Sequence, residues 1–183
     1  MDSIVNLSTA DFTTPVVSLA LAKANANIQY TEQDSLLELL LHASIQDAEE
    51  YTGTVIQQRN VVIGLSEFEQ LVQLPVAPLT AITSILYVNK EGADVPLESD
   101  DYEILSEGYA LRFKLQEFPE LQADNPYPIT ITGKAGYTES TVPKSIQSAI
   151  LVKFGHKELY REDAPVNGND RSFNAALRPY KVW

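Results

Sequence analysis

Apolar positions follow a helical period at both ends of this chain and a strand period in the middle. Leu37, Leu41, Ala48 and Tyr51 fall on one helical stripe, widened by Leu40 and Ile45, with Glu38, His42, Gln46 and Glu49 along the other side. Thr31-Glu32-Gln33-Asp34 ahead of the stripe has the form of a capping box, and Gly53 stands where a left-handed residue closes a helix. A shorter alanine-rich helix is predicted from Leu19 to Ala24, capped by Ser18 and ended by Asn25 and Asn27. From Thr54 the period changes. Six runs beginning at Val55, Leu71, Ile82, Tyr102, Tyr109 and Ile129 are rich in Val, Ile, Thr and Tyr and are separated by Pro, Gly and Asp, which predicts strands. Pro75 and Pro78 mark a connection, and residues 90–94 a hairpin loop. Helical spacing returns after Pro143, read as the first helical position: Ile146, Ala149, Ile150 and Phe154 form a stripe, while Leu151, Val152 and Leu159 lie off it. A turn-rich loop at 164–170 precedes a last short helix from Ser172 to Leu177, stopped by Pro179.

This order of elements predicts an α+β fold: a helical bundle with an inserted β-rich region between the second and third main helices. The expected organisation is a flexible arm at 1–14, a single domain at 15–178 and a tail at 179–183. Helices occupy 15–53 and 143–178 of that domain, with the β-rich insertion at 54–137. There is no internal repeat, and no apolar run long enough to cross a bilayer.

Composition narrows the function. With 183 residues and 44% hydrophobic content the chain can bury a substantial core. It has no cysteine, so disulfides, zinc–thiolate sites and thiol catalysis are excluded, and a cytoplasmic origin is the natural reading. The N-terminus lacks the features of a signal peptide. Net charge is −12, distributed as −7 over residues 1–58, −8 over 59–140 and +3 over 141–183. An acidic body does not suit nucleic-acid wrapping, which needs many Lys and Arg contacts to phosphate.

Candidate chemistry is sparse. His42 has Glu38 one turn before it, an arrangement open to acid–base work or to a plain helix-surface contact. His156-Lys157-Glu158 does not match a zinc motif. Glu98, Asp100, Asp101 and Glu103 cluster without calcium-loop spacing, and Gly133-Lys134-Ala135-Gly136 lacks the spacing of a phosphate loop. We therefore expect no catalytic residue, no metal and no cofactor, the alternative being a small hydrolase or lyase that uses His42 or His156. A third helix apolar on more than one side implies that a neighbouring copy covers part of it, which makes Leu151, Val152 and Leu159 candidates for a subunit interface. The aromatic end, Phe173, Leu177, Tyr180 and Trp183, lies in the basic part of the chain and is a candidate docking segment.

Several stretches carry a family resemblance. Pro15-Val16-Val17-Ser18-Leu19-Ala20-Leu21-Ala22-Lys23 and Ala48-Glu49-Glu50-Tyr51-Thr52-Gly53 resemble the first two helices of tailed-phage head–tail connector (portal adaptor) proteins. Leu74-Pro75-Val76-Ala77-Pro78-Leu79 with Ile82-Thr83-Ser84-Ile85, Ile131 to Tyr137, Val142 to Leu151, and Leu177-Arg178-Pro179-Tyr180-Lys181 are similar to later stretches of that family, in the same order. Helix one departs from the pattern in having Ala20 and Leu21 where acids are usual. Lys181 stands in place of Arg, and Met1 to Thr14 has no counterpart. The resemblance implies a non-enzymatic virion protein, made in the host cytoplasm, that forms a homo-oligomeric ring beneath the portal protein. Such a ring extends the DNA channel without binding DNA specifically and docks head-closure or tail proteins. Another virion morphogenesis protein, for tail completion or head closure, is the alternative.

Overall fold

The computed structural model describes residues 2–160 and 169–182. The chain divides into two compact units, and it passes between them at Ala10–Asp11, Gln57–Gln58 and Gly136–Tyr137. The fold is α+β, with two helices, a β-rich region and two further helices in order along the chain.

The helical unit, residues 11–57 and 137–183, holds α1 (Leu19–Asn25), α2 (Asp34–Thr52), α3 (Lys144–Leu159) and α4 (Asn169–Leu177). The predicted stripes meet in one core: Leu37, Leu41, Ile45 and Ala48 of α2 pack with Ile146, Ala149, Ile150 and Phe154 of α3 and with Val16, Val17 and Ala22. Ser18 caps α1 as expected, its hydroxyl accepting from the Leu21 N–H at 3.4 Å. Gly53 closes α2 with φ 69°, a conformation costly for residues with a Cβ. Three local expectations fail. Thr31 does not form a capping box, because α2 begins at Asp34 after a turn and its N-cap, Gln33, makes no side-chain cap bond. Pro143 is the N-cap of α3, one place before the first helical position. Ser172 lies inside α4, which has already begun at Asn169. Most of the turn-rich loop expected at 164–170 lies outside the described residues.

The segment before α1 is irregular, bent at Thr13–Thr14 and at Val16–Val17, and has no ladder to satisfy its peptide groups. Two buried glutamines do this. Gln57 Oε1 accepts from the Val16 N–H (3.0 Å), and its Nε2 donates to the Asp11 and Thr14 carbonyls. Gln147 Nε2 donates to the Val16 carbonyl (3.0 Å) and to that of Glu139 (3.3 Å). The chain turns back after Gly53, and Glu49 of α2, expected on a polar face, accepts through Oε1 from the N–H groups of Ile56 (2.8 Å) and Gln57 (2.9 Å). The motif around Gly53 is thus structural: it fixes the chain that carries Gln57.

The β-rich unit, residues 1–10 and 58–136, contains two antiparallel sheets. The strands are β1 (Ser3–Leu7), β2 (Arg59–Leu65), β3 (Leu71–Gln73), β4 (Leu79–Val88), β5 (Asp94–Pro96), β6 (Tyr102–Leu105), β7 (Ala110–Phe113) and β8 (Ile129–Ala135). The larger sheet has the order β1-β2-β8-β4-β5, and the smaller β3-β7-β6. Val61, Ile63 and Leu65 of β2, Ile129 and Ile131 of β8 and Ile85 of β4 share the covered face and are fully buried. The start of the chain, expected as a loose arm, is an edge strand whose residues 3–7 pair with Leu65 back to Val61. Its side chains are exposed on both faces except the half-buried Val5, so no alternation announced it.

Two substitutions test this account. Gln57→Leu keeps the volume but orphans the buried Val16 N–H, and is expected to cost about 1–3 kcal/mol of stability in urea unfolding. At Gly133, a bulge in β4 brings the Ala81 carbonyl against the position a Cβ would take. Gly133→Ala is expected to lose about 1–3 kcal/mol through overpacking, read the same way.

Candidate functional site

The polar groups singled out for chemistry have structural surroundings. His42 is half-buried under Phe12, the rings stacked at 3.7 Å between centroids. Burial pushes the imidazole below its ordinary value, and the Glu38 carboxylate pulls weakly the other way. His156 lies one turn from Tyr160, with 4.9 Å between ring centroids. Glu103 of the acidic cluster faces Lys114 at 3.5 Å, and Asp101 accepts the Lys114 N–H through its carbonyl. Gly133 and Lys134 lie within β8, in a ladder and not a loop. Among the described residues no group of three or more His, Cys, Asp and Glu side chains is arranged to hold a metal, and no helix is long and apolar enough to cross a membrane.

The docking candidates divide sharply. Phe173 and Leu177 are not on a free tail. They are buried in the core of the helical unit, because α4 packs its apolar side against α2 and α3. Lys153 Nζ lies 5.1 Å from the centre of the Phe173 ring, and Tyr51 meets the same ring from the other helix. Beyond Leu177 a 3-10 turn, Arg178–Tyr180, brings the half-buried Tyr180 hydroxyl to 2.7 Å from Ser145 Oγ, and the Val182 N–H donates to the Thr52 carbonyl (2.9 Å). Trp183 lies outside the described residues.

On α3 the three interface candidates also separate. Leu151 is half-buried against the core, whereas Val152 and Leu159 are 37% and 69% exposed. They lie with Ser148 and Gly155 on one helical face, spaced four, three and four residues apart, opposite the buried stripe. A Cβ built on Gly155 would have nothing within 4 Å, so packing within the subunit does not demand glycine here, although it costs about 1 kcal/mol relative to alanine in a helix interior. A second outer face went unread in the sequence. Leu36 and Leu39 of α2 are 39% and 63% exposed and continue through Ala43 to Gln46 and Glu50, again opposite the core stripe. The signal was present in Leu36-Leu37-Glu38-Leu39-Leu40-Leu41, which has more leucines than one buried stripe can absorb.

No family model and no curated protein matches the sequence. Solved structures do. A chain in the virion of a native gene transfer agent (GTA) particle is similar over 98% of this chain and 96% of its own, at 18% identity and a TM-score of 0.75. A chain in the neck of an empty GTA particle computed with C6 symmetry covers the same shares at 17% identity and a TM-score of 0.76. A chain in the neck of a native GTA particle computed with C12 symmetry does so at 19% identity and a TM-score of 0.67. At these identities what the chains share is the fold, and they share it from end to end.

The His42 environment gives a pH prediction. Its folded pKa lies below its unfolded value of about 6.5. The neutral ring's contribution to stability is therefore complete above that value and is lost as pH falls through the folded one. Between pH 7.5 and 5 the urea midpoint of the wild type is expected to fall more than that of His42→Phe, which has no titrating ring at this position. Equal falls in the two proteins would show that His42 carries none of the effect.

Proposed function

We propose that this chain is a structural adaptor of a phage-like particle, forming a ring at the head–tail junction beneath the portal. The observation that carries this reading is the end-to-end likeness to chains from GTA particles, including two neck structures computed with C6 and C12 symmetry. A chain that repeats around such an axis makes a ring. The ring extends the channel through which DNA passes and offers its far side to head-closure or tail proteins. The charge supports this reading: the β-rich unit carries 13 acidic and 5 basic side chains, and a wall of that sign repels phosphate instead of holding it. The outer face of α3 with Val152 and Leu159 supplies a subunit contact, Leu151 staying with the core. Because Phe173 and Leu177 close the core, docking to the portal falls to the outside of that end, around Tyr180.

This role asks for no reaction, in keeping with a helical unit whose internal glutamines and Glu49 are committed to backbone groups. Negative-stain images of the purified protein are expected to show rings. Particles produced without it are expected to accumulate as DNA-filled heads that lack tails. Normal tailed particles in its absence would reject the adaptor role.

A further inference from the structure

Leu159 and Leu39 are the two most exposed large apolar side chains among the described residues. They stand on the outer faces of α3 and α2, each on the far side of its helix from the common core. The two helices differ in charge. α2 carries Asp34, Glu38, Asp47, Glu49 and Glu50 with no Lys or Arg, whereas α3 carries Lys144, Lys153 and Lys157 against Glu158 alone. Within the subunit Asp47 already engages Lys157 (3.2 Å) and Lys153 (3.6 Å). On the outer faces, Glu50 ends the α2 stripe and Lys144 begins that of α3. Each is exposed and held by a glutamine of its own helix: Gln46 Nε2 donates to Glu50, and Lys144 Nζ donates to Gln147.

Laid antiparallel, these faces match along their length. Leu36 to Glu50 spans fifteen residues and Lys144 to Leu159 sixteen, nearly equal lengths of helix. Leu36 then meets Leu159, Leu39 lies over Gly155, Ala43 stands beside Val152, and Glu50 faces Lys144. The protruding leucine meets the one position with no side chain and open space around it, which gives that glycine a use the subunit alone does not. In the same antiparallel register α2 on α2 would set Glu50 against Leu36, and α3 on α3 would set Lys144 against Leu159, so only the pairing of unlike faces brings the two charges together. Pairing unlike faces is heterologous, the type of contact that generates a closed ring when its rotation closes.

We propose that the outer face of α2 in one copy docks antiparallel on the outer face of α3 in the next, with Leu39 seated over Gly155 and Glu50 paired with Lys144. This rests on the ring reading above and names the surfaces that build the ring. The natural chain has no cysteine, which permits a clean test. Oxidised with copper phenanthroline, Leu39→Cys/Gly155→Cys is expected to give a ladder of covalent multimers on a non-reducing gel, ending at the ring size read by native mass spectrometry. Each single variant should stay uncross-linked, and an equal mixture of the two should stop at dimers. Glu50→Lys and Lys144→Glu should each raise the concentration for half-assembly about three- to tenfold, and their combination should restore it. Rings without a ladder and indifferent to both charge reversals would overturn this contact and leave the ring reading standing. Cross-linked dimers from either single variant would overturn the pairing of unlike faces. A protein that stays monomeric at every concentration, with no ladder, would overturn both readings.

Discussion

The helical unit depends on how one peptide group pair is satisfied. Val16 is fully buried in an irregular, bent segment, so neither its N–H nor its carbonyl has a helix or ladder partner. Gln57 accepts the one and Gln147 donates to the other, from positions 41 and 131 residues away. A buried peptide group left unpaired costs about 1–3 kcal/mol, more than the net contribution of about 1 kcal/mol that one well-made hydrogen bond gives. Both amides must therefore arrive together, and their arrival registers three pieces of chain at once: the approach to α1, the turn after α2, and the first turn of α3. Glu49 extends the arrangement by holding Ile56 and Gln57 through their N–H groups, and Tyr137 joins it by donating its N–H to the Ile56 carbonyl. The helices supply apolar mass, and this clasp ties together the segments that join them.

That use of polar side chains separates the inside of the unit from its outside. Residues that look reactive in the sequence are engaged with backbone groups, aromatic rings or each other. Thr52, for instance, is buried with its hydroxyl donating to the Ala48 carbonyl and within 2.8 Å of that of Thr54. What remains available lies on the surface, and it is uneven: an acidic helix and a basic one, each with an apolar strip turned away from the core. For an isolated molecule of net charge −12, such strips are tolerated because self-repulsion keeps copies soluble. In the ring we propose, the same strips are the surfaces through which the next copy would dock.

The sequence determined what local spacing encodes. The stripe from Leu37 to Ala48 and that from Ile146 to Phe154 are both in the core, Gly53 has its left-handed conformation, and the β-branched middle is a β-rich region between the second and third helices. A repeat of 3.6 or 2 tells which side of an element is apolar, and glycine and proline tell where it stops, because these follow from the geometry of neighbouring residues. Spacing does not tell which apolar sides meet. Only the tertiary structure decided that Ser3–Leu7 is a strand, since its partners are the hydrogen bonds of β2 and it buries almost nothing of its own. It decided likewise that Phe173 and Leu177 close a core, and that Leu36, Leu39, Val152 and Leu159 are left outside it. A leucine is equally apolar in either place; whether another element covers it depends on contacts between residues far apart in the chain, which no local pattern records.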